Sequence, residues 1–402
     1  MPRYFRAVAL LAAIAGCRVD TPVTAPASPS ADVASAARVS DVQPFSAVSA
    51  PEWDSLFDRA SGWTGADGVY SIPLSGDERP GSAANGTTFW LFNDTFIGNV
   101  LPSGARAPGA VIVNNTNALL VGDQPDPANM QFFWGTAPNG TPRARVIPNT
   151  SSQHWFWPND GVVVGGKIVV FSLRMKPGSG GAFNFAYDGI SLFADDASNP
   201  TPFSTYQQTV APLYVPASGS KGDVIFGQAV MPNTVRAGAA FPDGYLYVYG
   251  VQNDASKKLL VSRVLPQNIN KFSTYRYWNG SAWVAQIAAA APLTSRLSSE
   301  FSVTPLADGR YLLVFQLDAL GRSVAVRYGA TPVGPWGLPI SVWTCPEATL
   351  TPNTYVYGAK AHPHLSRPGE LLISYHVNTF SFAEHFQNAD IYRPRFIRLP
   401  LN

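Results

Sequence analysis

The sequence predicts an all-β protein with the fold of a five-bladed β-propeller. Five times, an apolar stretch runs into a glycine turn and leaves along a second apolar stretch. These turns are Asn85-Gly86, Gly165-Gly166, Asp243-Gly244, Asp308-Gly309 and Pro368-Gly369. Glycine accepts positive φ at no steric cost, which favours two-residue hairpin turns. Five similar hairpins at intervals of about sixty to eighty residues indicate sheets repeated around an axis.

Composition supports this fold class. The 402 residues are 46% apolar and only 13% charged, with 34 Gly and 35 Pro. A helical bundle would need far more Glu, Lys and Arg. A two-sheet jelly-roll sandwich is the alternative, but it would need fewer residues and would not explain five hairpins. The net charge is +2 and no basic stripe is present, so we expect no nucleic-acid partner.

The N-terminus predicts export. Arg3 and Arg6 precede the apolar run AVALLAAIAG, which is too short to span a membrane and is typical of a signal peptide. The run ends at Ile14-Ala15-Gly16-Cys17, which resembles the lipobox of bacterial lipoproteins and implies that Cys17 carries lipid. We therefore expect a signal peptide over residues 1–16 and a lipoprotein held on the bacterial cell envelope by this lipid only. An ordinary secretory signal is the alternative.

The rest of the chain divides into a tether and one domain. Residues 17–50 are rich in Ala, Ser, Pro, Thr and Val without an apolar period, which predicts a flexible tether. Residues 51–402 have a uniform composition without a second linker and form the expected propeller domain. The segment EWDSLFDRA at its start is either a short helix or a strand that closes the ring against the last blade. The expected innermost strands lie near GADGVYSIPL, NDGVVVGG, FGQAVMPN, SEFSVTPL and GAKAHPHLS, and the final strand lies in DIYRPRFIRLPL.

Several carboxylates are candidates for catalysis. In a propeller the start of each innermost strand faces the central mouth, and Asp67, Asp160 and Glu300 occupy such positions. A carboxylate among apolar strands is costly unless it is paired or functional. One ionised and one protonated carboxyl group are the minimum for glycoside hydrolysis. The structural alternative is that Asp67 and Asp160 only form turns and that Glu300 lies on the rim. Asp94 lies in the second strand of blade one, where it either reaches the mouth or accepts hydrogen bonds at a bulge.

The neighbours of these acids favour a sugar ligand. Trp155 and Trp157 precede Asp160 in the stretch HWFWPND, and indole faces can stack on sugar rings, although blade packing would explain them too. Arg174 is a candidate for contacts with hydroxyl groups. Gln228 stands at the start of another innermost strand and is a further candidate for substrate binding.

A metal or cofactor is not expected. His362 and His364 share one face of a strand, but no further histidine cluster or cysteine ligand accompanies them, which argues against zinc. We expect His362 to line the axis near the substrate, and a contact with a calcium-bound water is the metal alternative. Cys345 has no cysteine partner if Cys17 carries lipid, and we expect a buried thiol there. P-loop, dinucleotide, zinc-protease and nucleophile-elbow motifs are absent from the sequence.

Three motifs carry a resemblance to known families. The phrase Gly334-Pro335-Trp336 is similar to an outer-strand phrase of five-bladed glycoside hydrolases of the arabinanase and xylosidase type. The runs Gly65–Gly68, Phe92–Gly98 and Trp157–Gly161 more closely resemble poorly characterised secreted bacterial propellers with a domain of unknown function. Some members of that wider group are implicated in cleaving D-arabinan. The resemblance covers roughly residues 60–400.

The resemblance implies roles for the acids. Asp67 would be the base, Asp160 the group that tunes and orients, and Glu300 the acid. The family's first acid normally precedes proline, whereas Asp67 precedes Gly68, so Asp94 is its rival as base or nucleophile. The leading hypothesis is a monomeric lipoprotein glycoside hydrolase with a carbohydrate substrate, a poly- or oligosaccharide of arabinan type. The alternatives are a non-catalytic glycan-binding propeller and a scaffold for another envelope protein.

Overall fold

The computed structural model describes residues 46–149, 152–179 and 184–401. The expected signal peptide, Cys17 and nearly all of the expected tether lie outside the described residues. Within those ranges, no helix is long and apolar enough to cross a membrane.

Five antiparallel sheets of at least four strands follow one another along the chain, and we number them sheets 1 to 5. Sheet 1 contains Tyr70–Pro73, Thr87–Phe92, Thr116–Val121 and Met130–Phe133. Sheet 2 contains Trp155–Val164, Lys167–Pro177, Phe185–Asp196 and Gln207–Ala211. Sheet 3 contains Tyr214–Val215, Asp223–Pro232, Leu246–Asn253, Lys258–Val264, Arg276–Trp278 and Trp283–Val284. Sheet 4 contains Phe301–Pro305, Tyr311–Gln316, Ser323–Gly329 and Ile340–Thr344. Sheet 5 contains Thr354–Ala361, Glu370–Thr379, Pro394–Pro400 and Val48–Ser49.

Smaller elements complete the described chain. A three-stranded sheet contains Ser61–Ala66, Thr95–Asn99 and Val111–Val113, and a two-stranded sheet contains Gly135–Thr136 and Pro142–Arg143. The α-helices are Pro51–Phe57 and Glu384–Gln387. Short 3-10 helices cover Ser82–Asn85, Pro127–Asn129, Val235–Ala237, Pro266–Asn268, Phe272–Thr274, Ile287–Ala289, Pro346–Thr349, Pro363–Leu365 and Ala389–Tyr392.

The sheets are arranged around an axis. One strand of each sheet contacts the corresponding strand of the next sheet, and we call these the inner strands: Tyr70–Pro73, Trp155–Val164, Asp223–Pro232, Phe301–Pro305 and Thr354–Ala361. Side chains connect sheet 5 back to sheet 1. Ser71 Oγ lies 2.7 Å from His362 Nδ1, and His364 Nε2 lies 3.1 Å from Thr88 Oγ1. This ring confirms the predicted β-propeller. The three-stranded sheet stands outside the series, so the count of five blades stays an interpretation.

The first described residues close the ring. Val48–Ser49 pairs with the last strand, with Val48 opposite Arg398 and Ser49 opposite Ile397. The expectation of a flexible tether up to residue 50 is therefore wrong for these residues. The segment that follows, which was expected to be either a short helix or a closing strand, forms the helix Pro51–Phe57. This helix packs its apolar face under the sheets. Its buried Trp53 ring lies 6.3 Å from the Trp90 ring and 5.8 Å from the Phe396 ring.

Most of the turns differ from the predicted type. Only Gly165-Gly166 makes the two-residue connection, between Trp155–Val164 and Lys167–Pro177. The other hairpins close through longer loops because these loops make contacts between sheets. Arg236, after the inner strand of sheet 3, donates a 2.6 Å hydrogen bond to the Ser75 carbonyl in the loop of sheet 1.

The inner strands of sheets 2, 3 and 5 each contain a β-bulge. The register shifts between Pro158 and Gly161, between Phe226 and Ala229, and between Tyr357 and Lys360. A bulge adds a residue to one strand and re-aims a side chain. In sheet 5 the bulge contains Gly358, with φ 68°, whose added Cβ would lie 2.5 Å from His376. Only glycine allows this close approach, and the bulge sets the position of Lys360.

Removing the Trp53 side chain tests the role of the first helix in ring closure. Trp53 is 1% exposed, and truncating such a side chain to alanine costs about 3–5 kcal/mol. We expect Trp53→Ala to lower the free energy of unfolding by that amount, and therefore to lower the urea concentration at the midpoint of unfolding. Leu338→Ala, at a position 72% exposed, should leave this midpoint nearly unchanged. Equal midpoints for the two variants would show that the helix does not hold the ring.

Candidate active site

Asp67 lies between the strand Ser61–Ala66 and the inner strand of sheet 1. Its carboxyl group accepts hydrogen bonds from the hydroxyl groups of Tyr357 and Tyr392 in sheet 5 and the segment before its last strand. The second oxygen, Oδ1, has no hydrogen-bond partner among the described residues. Burial, followed by the charges of Asp94 and Glu300, raises the pKa of Asp67 to about 8. At neutral pH this carboxyl group therefore carries a proton.

Asp94 lies in the corner between two strands. The sequence had predicted that it would lie within the second strand of sheet 1. That strand ends at Phe92, and Thr95 begins a strand of the three-stranded sheet. Asp94 Oδ1 accepts hydrogen bonds from Trp157 Nε1 at 2.8 Å and from Asn114 Nδ2 at 3.2 Å. Burial raises the pKa of Asp94 to about 6, against these two hydrogen bonds, which lower it. Asp94 is therefore mostly ionised at neutral pH.

Glu300 precedes the inner strand of sheet 4 and forms an ion pair with Lys360 of sheet 5. Its carboxylate also lies 3.7 Å from His376 Nε2. Burial by itself would raise the pKa of Glu300, but the Lys360 ammonium and His376 together lower it to about 2. The ion pair favours the ionised form of Glu300 near neutral pH. The role of Glu300 as general acid stays a prediction.

Lys360 is the functional residue that sequence reasoning missed. It is 1% exposed, and its ammonium lies 3.2 Å from His376 Nε2 and 4.2 Å from the centre of the Tyr70 ring. A buried lysine is rare unless it is paired. The sequence signal that could have identified Lys360 was a single lysine inside an apolar strand, in the run GAKAH.

Asp160 sits in the bulge of sheet 2 and joins two inner strands. Its oxygens accept hydrogen bonds from the backbone N–H groups of Gly161, at 2.8 Å, and of Val230 in sheet 3, at 2.7 Å. Burial raises the pKa of Asp160 to about 7, against these bonds and the attraction of Lys360. Oδ1 is thus engaged within its own strand, and Oδ2 joins sheet 2 to sheet 3.

The acids of different sheets do converge. Burial and then the charges of Glu300, Asp160 and Asp67 raise the pKa of the Tyr70 hydroxyl, which places all three carboxyl groups around that side chain. The charge of Asp94 acts on Asp67, whose pKa it raises. Asp67, Asp160 and Glu300 therefore lie within electrostatic range of one hydroxyl group, and their meeting at the mouth of the propeller stays a prediction.

The two tryptophans lie beside the acids. The Trp155 and Trp157 rings are 6.0 Å apart at an angle of 72°, and Trp157 packs edge-on against Phe185 at 4.6 Å. Both indoles are only partly buried. Arg174 is engaged elsewhere, because its guanidinium donates hydrogen bonds to the Asp188 carboxylate at 2.9 Å and to the Asp188 carbonyl at 2.8 Å.

Gln228 and His362 are both buried, and only His362 has both polar side-chain atoms hydrogen-bonded. His362 is fully buried, and its ring nitrogens lie 2.7 Å from Ser71 Oγ and 2.8 Å from Ser374 Oγ. It packs on the Trp90 ring at 5.0 Å and serves to join sheets 5 and 1. Gln228 is 1% exposed in the bulge of sheet 3, where its Oε1 has no partner among the described residues.

The described residues offer no obvious metal ligands. No group of three or more His, Cys, Asp or Glu side chains in the described ranges is placed to hold a metal ion. Cys345 is a buried free thiol, as expected, and burial raises its pKa to about 12. A thiol with such a pKa is not a nucleophile at neutral pH.

Comparison with known sequences identifies the family. The family model described as "Domain of unknown function (DUF5005)" matches residues 51–400. The chain belongs to the DUF5005 family. The comparison with curated proteins found no match.

Solved structures share the fold of this DUF5005 protein. A Bacteroides ovatus crystal structure described as that of a candidate hydrolase has a TM-score of 0.68 and 19% identity, over 88% of this chain and 90% of that chain. The GH62 α-L-arabinofuranosidase domain of Coprinopsis cinerea has a TM-score of 0.46 and 11% identity, over 89% and 97%. The endo-arabinase of Bacteroides thetaiotaomicron has a TM-score of 0.41 and 12% identity, over 82% and 96%.

Breaking the ion pair tests whether Lys360 keeps Glu300 ionised. An uncompensated buried charge costs about 3–5 kcal/mol, so we expect Lys360→Met to lower the free energy of unfolding at pH 7 by that amount. In Lys360→Met/Glu300→Gln no carboxylate is left unpaired, and most of the loss should be recovered. Urea denaturation of both variants measures the difference.

The pH dependence of this loss has a defined sign. In the native protein the pKa of Glu300 is below its ordinary value of 4.5, so its stabilisation is present above that pH and is lost as the pH falls towards 2. In Lys360→Met burial without a cation raises the pKa of Glu300, so the unpaired carboxylate takes up a proton as the pH falls. The destabilisation in this variant should therefore shrink between pH 7 and pH 4. A loss that is equal in the single and double variants would contradict the pairing.

Proposed function

We propose that this protein is a glycoside hydrolase that acts on a poly- or oligosaccharide. The observation that carries this proposal is a pair of buried carboxyl groups, Asp67 and Asp94, with two indoles alongside. Their pKa values, raised to about 8 and about 6, favour the protonated form of Asp67 and the ionised form of Asp94 at neutral pH. Glycoside hydrolysis needs these two groups in these two states, one to protonate the leaving oxygen and one to act on the other face of the sugar.

Asp67 is suited to be the general acid. Its Oδ2 accepts a hydrogen bond from Tyr357, whereas the buried Oδ1 has no hydrogen-bond partner among the described residues. A glycosidic oxygen at hydrogen-bond distance from this carboxyl group would receive its proton as the bond to the sugar breaks. This reverses the base role that the resemblance implied for Asp67.

Asp94 is suited to be the base or nucleophile. Trp157 and Asn114 both donate to Oδ1, so Oδ2 is left to approach a water molecule or the anomeric carbon. The same hydrogen bonds stabilise the ionised form and orient the carboxylate.

Glu300 supplies charge and not a proton. Lys360 keeps it ionised, and its negative charge contributes to the raised pKa of Asp67, after burial and Asp94. A fixed anion next to a buried carboxyl group keeps the proton on that group. Glu300 thus takes the tuning role that the resemblance implied for Asp160.

The substrate class and location rest on the sequence. Stacking on Trp155 and Trp157 suits a sugar ring, and the resemblance favours arabinan. The lipobox-like tetrapeptide ending at Cys17 supports an enzyme anchored to the cell envelope by lipid, with a single propeller domain that works as a monomer.

Loss of either acid of the pair should abolish turnover. We expect Asp67→Asn and Asp94→Asn to reduce the release of reducing ends from a panel of polysaccharides by at least about 100-fold, the lower range for a lost acid or base. Asp308→Asn is the matched control, because that aspartate lies in an exposed turn and pairs with Arg310. Wild-type binding without cleavage of any polysaccharide would favour the non-catalytic alternative, and full activity of Asp67→Asn would exclude Asp67 as the acid.

The rate should depend on pH through both groups. Asp94 must be ionised, so activity should be lost as the pH falls through about 6, and Asp67 must be protonated, so activity should be lost as the pH rises through about 8. Glu300→Gln removes a negative charge beside Asp67, which should move the alkaline limb to lower pH while leaving some activity. A kcat/KM profile of both proteins measures this. An alkaline limb that stays in place, or moves upwards, would contradict the role of Glu300.

A further inference from the structure

A second aromatic surface lies on the other side of the acids from Trp155 and Trp157. Tyr357, whose hydroxyl group donates to Asp67, is followed outwards by Tyr355, with 5.5 Å between the ring centres. The Tyr355 ring stacks on the Phe380 ring at 4.4 Å and 29°. Phe380 is 53% exposed and Phe382 nearby is 58% exposed. This series, which we call the sheet 5 shelf, leads from the general acid to the surface.

The position of the shelf follows from the order of the sheets. Asp67 precedes the inner strand of sheet 1 and Asp94 follows its second strand. Sheet 1 lies between sheet 5 and sheet 2 in the ring. Asp94 contacts sheet 2 through Trp157, and Asp67 contacts sheet 5 through Tyr357. The acids therefore stand between two aromatic surfaces, one from each neighbouring sheet.

A cavity adjoins the shelf. It has a volume of about 420 Å³, and its lining includes Tyr355 together with Thr349, Thr351, Thr354 and the exposed Arg322. Sites for small ligands have volumes of about 300–1,000 Å³ and combine aromatic faces with a few polar groups. Hydroxyl groups and a guanidinium beside an aromatic ring match the two faces of a sugar, which are C–H groups and hydroxyls.

We propose that the sheet 5 shelf binds the continuation of a glycan chain beyond the acids, so that the substrate extends to both sides of the cleaved bond. This proposal rests on the proposed function. It implies cleavage at internal bonds of a polysaccharide, because an aromatic surface on each side holds sugar units on each side.

Binding without turnover tests the shelf separately from catalysis. The parent is Asp67→Asn, run by affinity electrophoresis through gels that contain linear arabinan, xylan or mannan. Adding Phe380→Ala should raise the dissociation constant for the retarding polysaccharide roughly three- to tenfold, as a lost aromatic contact does. Adding Phe241→Ala should leave the dissociation constant unchanged. Phe241 is 74% exposed and lies in the loop between the strands Asp223–Pro232 and Leu246–Asn253 of sheet 3. Equal binding by the Phe380→Ala variant, or no retardation of the parent by any of the three polysaccharides, would overturn the shelf.

The lengths of the products test the cleavage mode. Wild-type protein with the retarding polysaccharide should release oligosaccharides of several lengths early in the reaction. Release of single sugars alone would overturn internal cleavage. Retardation that Phe380→Ala weakens, with no product of any length, would support the shelf as a glycan site and reject the proposed hydrolysis instead.

Discussion

Contact between the last sheet and the first is the constraint on which the candidate site depends. Sheet 5 supplies the hydroxyl group of Tyr357 to Asp67 and the ammonium of Lys360 to the ring of Tyr70. These contacts exist because the ring closes through the buried His362, which joins Ser71 to Ser374, and through the pairing of Val48–Ser49 with the final strand. Residues nearly three hundred positions apart in sequence thus share one environment. The protonation state of the proposed acid is a property of the closed ring and not of sheet 1.

Charge balance around Tyr70 explains why the acids differ. Lys360 is the buried cation whose ammonium lies over the Tyr70 ring, and it pairs directly with Glu300, whose pKa it lowers. Asp160 is satisfied mainly by backbone N–H groups, and Asp94 by an indole and an amide. Asp67 has no cationic partner, and the charges of Asp94 and Glu300 add to its burial. In a region of low dielectric the group with the least compensation keeps its proton. One ammonium is therefore enough to lower the pKa of Glu300 while the pKa values of Asp67, Asp94 and Asp160 stay raised.

The sequence predicted the parts of the structure that repeat or that alternate locally. Hairpin repeats predicted the fold class, and apolar runs predicted the inner strands of all five sheets, with bounds that differ from the observed ones. The convergence of Asp67, Asp160 and Glu300 is a prediction from the rule that inner strands share a mouth. The turn types failed because loops of neighbouring sheets bind one another, as Arg236 binds the Ser75 carbonyl. Protonation states could not be predicted, because they depend on Lys360 and Tyr357, which come from a different sheet.

Bulges in the inner strands explain how polar groups reach the axis of an otherwise apolar fold. Regular alternation would turn every second side chain of Trp155–Val164 or Thr354–Ala361 towards a neighbouring sheet. The added residue breaks that alternation, so Asp160 and Lys360 turn towards the centre while the flanking residues keep their packing. Gly358 removes the side chain that would otherwise occupy the space of His376 and Glu300. The packing faces of the sheets and the polar centre are therefore set by different residues, so the chemistry of the centre can change without altering the fold.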